Sequence, residues 1–147
     1  GEAYRQSLKR LIKQLDIKAN VKFINQYLSL DELISYLRLI DIYITPYLSF
    51  QQSASGALSY ALGVGKFCIS TPYLYAQEVL DKKRGVFVPF RDSRIMAHKV
   101  VYYWRNPQQR QAIEKNAYEY GRLMTWPNIA LRYFNLFKLI INQKASI

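Results

Sequence analysis

Between Ser55 and Lys66 the chain reads Ser-Gly-Ala-Leu-Ser-Tyr-Ala-Leu-Gly-Val-Gly-Lys. Small residues open a short helical run, and glycines close it before an apolar stretch, Phe67-Cys68-Ile69-Ser70-Thr71. A helix that starts at Ser55-Gly56 presents unpaired backbone N–H groups and about half a positive charge at its first turn. Gly56 has no Cβ to hold a ligand off the backbone. The chemistry on offer is capture of an anion, with phosphate the obvious candidate. The same residues also suit a purely structural role, with Ser55 as cap, Gly56 as a close-packing position and Gly63 and Gly65 as the stop. The residues of the motif alone leave both readings open.

Other reactive residue types are sparse. Cys68 is the single cysteine of 147 residues and sits in an apolar run, so no internal disulfide forms and a reducing, cytoplasmic setting is expected. His98 is the single histidine. It stands beside Lys99 on an amphipathic stretch without a second ligand nearby, so no metal site is expected. Lys and Arg number 21 against 10 Asp and Glu, a net charge of +11 with a pI near 9.8, which favours polyanions or acidic lipid surfaces. The basic residues are scattered, with Lys82-Lys83-Arg84 the one run. A nucleic-acid-tracking stripe is therefore not expected; a solvated basic surface fits the scatter first, and peripheral contact with an anionic membrane, at the inner face, comes next.

These residues need a scaffold, and the composition supplies one. Half the residues are hydrophobic, and 6 Gly and 5 Pro are too few for a disordered or collagen-like chain. Arg132 and Lys138 interrupt the oiliest segment, which stays short of the roughly 18–20 apolar residues of a membrane span. Gly1 in place of an initiator Met reads as the start of an excised piece, so 1–147 is expected to be a single partial domain.

Along the chain, Tyr4, Leu8, Leu11, Ile12 and Leu15 recur at helical spacing, with Arg5, Lys9, Arg10 and Lys13 opposite. Val21-Lys22-Phe23-Ile24 reads as a strand, and Ser29-Leu30-Asp31-Glu32 as a capping box opening a helix with Leu33, Ile34 and Leu37 inward. Ile42-Tyr43-Ile44-Thr45 is a β-branched run stopped by Pro46. After the Ser55 helix, strands are expected at Phe67–Thr71 and Val86–Val88, with a helix from Tyr73 to Leu80 between them. Helices follow from Asp92 or Ser93, from Asn106-Pro107 and from Thr125-Trp126-Pro127. The last has two apolar stripes, Ile129, Tyr133, Leu136, Phe137 and Ile140 on one face and Leu131, Phe134 and Ile141 on another, so part of it is expected to dock on something outside the chain. Alternating helices and strands with short links predict an α/β fold, a Rossmann-like parallel sheet with helices on both faces. Ligands of such sheets bind beyond the carboxyl ends of the strands, where the Ser55 helix starts.

The motifs in this order resemble the C-terminal half of a family 4, or group 1, glycosyltransferase of the two-domain GT-B fold, over nearly the whole chain. Leu11-Ile12 to Phe23-Ile24 is similar to the family's "L…L…V.F.G", Leu30-Asp31-Glu32-Leu33 to its "eEL", and Ile40-Asp41-Ile42-Tyr43-Ile44-Thr45-Pro46 to its "aDv.v.PS". Gly65 to Thr71 resembles "GxPVVaT", Glu78-Val79 the following "E-v", and Gly85-Val86-Phe87-Val88-Pro89 "Gxlv", while Trp126 matches an aromatic before the last helix.

The resemblance implies a domain that binds a nucleotide sugar, with the other domain binding a glycan or lipid-linked acceptor and the sugar transferred with retention. The family's paired glutamates fall at Gln52 and Tyr60, so neither carboxylate is present. Donor-binding residues are then expected at Gln52, Ser55, Gly56, Ala57, Tyr60, Lys66 and Glu78, with no side-chain nucleophile, metal or cofactor. The amides at Ser55, Gly56 and Ala57 would hold the diphosphate, and Lys66 would either stand in for family basic residues expected before Gly1 or, as a lysine after a helix C-cap, be a solvated or dipole-compensating residue. Tyr47 and Tyr73 would line the pocket or simply pack. By the same resemblance the first two strands of the sheet are missing. In the order 3-2-1-4-5-6 they lie between the Val21 and Ile42 strands, leaving the Val21 strand without its neighbour and isolated catalysis unexpected. Loss of both glutamates also fits a noncatalytic scaffold of the same fold. Charge alone would suggest a basic nucleic-acid-binding domain.

Overall fold

The computed structural model describes residues 2–81 and 83–144. Gly1, on which the excised start was read, and Lys82 of the basic run lie outside the described residues. The elements in chain order are α1 (Glu2–Gln14), a 3-10 turn (Lys18–Asn20), α2 (Leu30–Leu39), β1 (Ile42–Thr45), α3 (Gly56–Gly63), β2 (Phe67–Ser70), α4 (Leu74–Leu80), β3 (Val86–Phe87), α5 (Ser93–Arg105), α6 (Pro107–Leu123) and α7 (Trp126–Lys144).

The three strands form one parallel sheet in the order β1-β2-β3, with Ile42 opposite Phe67, Thr45 opposite Ser70 and Ile69 opposite Val86. β2 is central and all four of its residues are buried. Its side chains alternate between two cores, as the two-residue period of a strand requires. Phe67 and Ile69 pack with Val88 against Met96, Val100 and Tyr103 of α5, whereas Cys68 joins Leu58, Ala61 and Leu62 of α3, Ala76, Val79 and Leu80 of α4 and Leu37 of α2. Helices therefore cover both faces, and the alternation of elements produces the expected α/β architecture. Burial among these side chains pushes the Cys68 thiol up to about 12.

The segment Val21–Ile24 departs from the sequence expectation. Val21 has extended dihedrals, but the segment joins no strand, and Val21, Phe23 and Ile24 are exposed. An extended segment becomes a strand only when a neighbour takes its N–H and C=O groups. Among the described residues β1 pairs only with β2, and no strand bridges from β1 to Val21. The remaining boundaries shift by one residue: β2 ends at Ser70, β3 at Phe87, and Tyr73 caps α4 rather than starting it.

α7 remains solvent-covered on both stripes, with Leu131, Tyr133, Phe134, Leu136, Phe137, Ile140 and Ile141 exposed. No helix among the described residues is long and apolar enough to cross a membrane. His98 is exposed on α5.

Candidate functional site

Because the strands are parallel, Thr45, Ser70 and Phe87 end on one edge of the sheet, and the connections to α3 and α4 leave from it. Hydrogen-bonding side chains bind that edge together. Ser70 Oγ donates to the carbonyls of Thr45 (3.3 Å) and Thr71 (2.8 Å), and Thr71 Oγ1 donates to the Tyr47 carbonyl (2.6 Å). Ser70 and Thr71 are fully buried, so these bonds replace lost water contacts. Tyr73, also fully buried, stacks edge-on with Tyr47 at 5.0 Å between centroids. It is a packing residue that stiffens the loop, while Tyr47 stays half exposed above it.

The loop from Tyr47 to Ala54 is pinned to α4. The first amides of that helix, at Leu74 and Tyr75, donate to the carbonyls of Phe50 (2.9 Å) and Gln52 (3.2 Å). Protein carbonyls thus satisfy the orphan donors that open α4. Gln52 also turns its side-chain amide onto the Ala54 carbonyl at 2.6 Å, which fixes the approach to α3.

α3 begins differently. Ser55 caps it by accepting from the Leu58 amide at 3.3 Å, and no acidic residue occupies its first turn. α2, by contrast, closes a full capping box: Glu32 accepts from the Ser29 amide at 2.8 Å and Ser29 Oγ accepts from the Glu32 amide at 3.3 Å. The Ser29 amide, and the Ser29 hydroxyl that also donates to Glu32 Oε2 at 2.8 Å, hold the Glu32 carboxyl below its usual value. α2 therefore brings its own anion to its positive end, and α3 does not. A Cβ built on Gly56 meets nothing within 4 Å, and its backbone is not left-handed. Close packing does not account for this glycine.

The structure brings Gln52, Ser55, Gly56, Ala57 and Tyr60 to one place, the start and outward face of α3. Glu78 is exposed on α4, the helix whose first turn is tied to the Gln52 loop. Lys66 is not brought to them: it precedes β2 at the opposite edge of the sheet and donates from Nζ to the Arg38 carbonyl at 3.0 Å, near the C-terminal end of α2. A cation on a helix C-terminal carbonyl is the favourable arrangement, and it uses the ammonium for the fold.

Several neighbours of the site were not legible as such. Tyr75 of α4 shares a hydrogen bond with Ser59 of α3, tying the two helices. A groove of about 710 Å³ runs along the outer face of α3 from Gly56 past Tyr60 and Gly63 to the α6–α7 turn at Arg122 and Trp126. Arg122 donates from Nη2 to the Gly63 carbonyl, 59 residues away in sequence. No local pattern around Arg122 announces that partner.

A family model for glycosyl transferases of group 1 matches residues 1–120. Among solved structures, the C-terminal domain of a glycosyl transferase group 1 family protein (LpcC) from Francisella tularensis aligns with a TM-score of 0.71 at 21% identity, over 86% of this chain and 64% of that one. Sucrose-phosphate synthase from Thermosynechococcus elongatus aligns with a TM-score of 0.77 at 20% identity, over 96% of this chain and 35% of its own. At these identities the likeness is one of fold. The chain spans less than two thirds of the first of those chains and about a third of the second. Among curated proteins none matches it.

Proposed function

The chain belongs to the glycosyl transferases of group 1, and from that premise we propose that it is the donor-binding domain of a two-domain, retaining sugar transferase. The observation that carries this reading is the start of α3: a glycine with open space over it, on a helix end without an acid of its own, at the carboxyl edge of a parallel sheet. There the amides of Gly56 and Ala57 take the diphosphate of a nucleotide sugar. As the bond to the sugar breaks, negative charge grows on the leaving nucleoside diphosphate, and preorganised N–H donors lower the cost of that charge. No side-chain nucleophile takes part. Gln52 meets sugar hydroxyls through its amide, and Tyr60 meets the nucleoside through its ring face or hydroxyl. A further domain of the same protein supplies a glycan or lipid-linked acceptor, and the domain by itself binds donor without transferring sugar.

Calorimetric titration of UDP-, GDP- and ADP-sugars against the full-length protein tests this. One nucleotide series is expected to bind, and Gly56→Trp to abolish that binding while the melting temperature stays in place. Absence of binding by all three, with the protein folded, would overturn the reading.

A further inference from the structure

The groove along α3 extends well past the turn that takes the diphosphate, and its far end has chemistry of its own. A helix rises about 1.5 Å per residue, so Tyr60 lies about 6 Å along the axis from Gly56, and Gly63 about 10 Å. All three line the one groove of about 710 Å³. Diphosphate, ribose and base follow one another in the same order along an extended nucleotide. With the diphosphate at Gly56 and the nucleoside at Tyr60, the base falls beside Gly63, where Arg38, Arg122 and Trp126 complete the lining. Arg122 is already engaged: it holds the Gly63 carbonyl, and its guanidinium lies 4.8 Å from the centre of the Tyr118 ring. The Arg38 guanidinium, in contrast, has no hydrogen bond or ion pair among the described residues. Trp126, 86% exposed, offers a bare ring face, and no carboxylate is in the lining.

A bare aromatic face takes any base by stacking, so the choice among bases falls to Arg38. A guanidinium is a planar fork of N–H donors without an acceptor. Its match is a base edge that presents two adjacent acceptors. Guanine does so with O6 and N7, whereas adenine sets the N6 amino donor beside N7, and in uracil an N–H donor separates the two carbonyls. Cytosine has adjacent acceptors too, but its single ring covers less of Trp126 than a purine does. No lining carboxylate accepts from the N1–H and amino group of guanine, so O6 and N7 form the edge that this groove can read. We propose that the groove selects guanine, with the base stacked on Trp126 and the Arg38 fork on O6 and N7, so that the donor is a GDP-sugar. This rests on the donor-binding reading and deepens it by naming the nucleotide.

The test is calorimetric titration of the full-length protein with GDP, UDP, ADP and CDP, and with inosine diphosphate and 7-deazaguanosine diphosphate. Arg38→Met and Trp126→Ala serve as variants, their melting temperatures checked against the parent. GDP is expected to bind about tenfold tighter than UDP, ADP or CDP. Inosine diphosphate keeps O6 and N7 without the amino group and is expected to match GDP, whereas the 7-deaza analogue lacks the N7 acceptor and is expected to fall to the level of ADP. Arg38→Met removes the preference and leaves the affinity common to all the nucleotides, and Trp126→Ala weakens every one of them. UDP, ADP or CDP binding as tightly as GDP overturns the proposal and leaves the donor reading standing. So does a preference for GDP that the 7-deaza analogue retains or that Arg38→Met does not change. Binding of no nucleoside diphosphate by the folded protein overturns the donor reading, and this proposal with it.

Discussion

The two ends of α3 are built on opposite rules. At its C-terminal end every contact is protein on protein. Gly65 sits at φ +74°, where a Cβ would meet the Tyr118 Cβ at 2.9 Å, and a Cβ on Gly121 would stand 2.5 Å from the Leu62 carbonyl oxygen. Arg122 closes the Gly63 carbonyl. At the N-terminal end, Gly56 has no neighbour over it and Ser55 alone supplies the cap. The fold demands glycine at one end and not at the other, so glycine at the start is open to explanation by a ligand.

The sharpest way to break that contrast is to add a methyl group at each end. Gly121→Ala forces a Cβ into backbone of α3 and is expected to cost about 3 kcal/mol, as overpacking in a filled core does. It should appear as a lower urea midpoint at unchanged slope. Gly65→Ala, strained by its left-handed φ and pressed on the Tyr118 Cβ, an atom that shifts only with the backbone of α6, is expected to cost about 2 kcal/mol. Gly56→Ala is expected to change stability by less than about 0.5 kcal/mol, the range of an ordinary surface substitution. A loss there as large as at Gly65 would show that the start of α3 is packed after all.

The closed end and the open end were unequally legible in sequence. Ser29 to Glu32 announced its cap because both partners lie three residues apart, and the β-branched run at Ile42–Thr45 became a strand because β2 is present to pair with it. Val21–Ile24 carries a similar pattern and fails, since pattern records which face is apolar and not whether a neighbour exists. The start of α3 was visible from Ser55 and Gly56, and the openness above it was not, because emptiness is a property of what distant segments leave uncovered. Lys66 shows the same limit. A lysine beside glycines can serve a phosphate or a helix end, and only the Arg38 carbonyl, 28 residues away, decides between them.

At the open end, two substitutions separate helix from ligand. Ser55→Ala removes the one side-chain acceptor on the first turn of α3 and is expected to cost about 1 kcal/mol, read by thermal melting. Gly56→Asp places an anion on that same turn. It is expected to stabilise the helix by a few tenths of a kcal/mol through the dipole while abolishing nucleotide-sugar binding by repulsion. Parallel loss of stability and binding would instead mark Gly56 as structural.

The smallest expected effect compares the starts of α2 and α3 directly. Glu32 is held below its usual value near 4.5 by the Ser29 amide and hydroxyl. Its folded form therefore binds fewer protons than its unfolded form as acid is added, and the contribution of the cap is present above that usual value and lost as pH falls through the folded one. α3 has a hydroxyl cap and no acid in its first turn, so nothing there titrates in the same window. In a pH titration followed by amide chemical shifts, Ser29 is expected to move with a midpoint below 4.5, and Gly56 and Ala57 to stay flat. On the proposed donor reading, adding a nucleotide sugar should then make Gly56 and Ala57 respond, with the ligand's anion taking at α3 the place that Glu32 takes at α2. A carboxylate-like titration of Gly56 in the free protein would mean that α3 already has an anion of its own, and its open end would lose the feature that sets it apart.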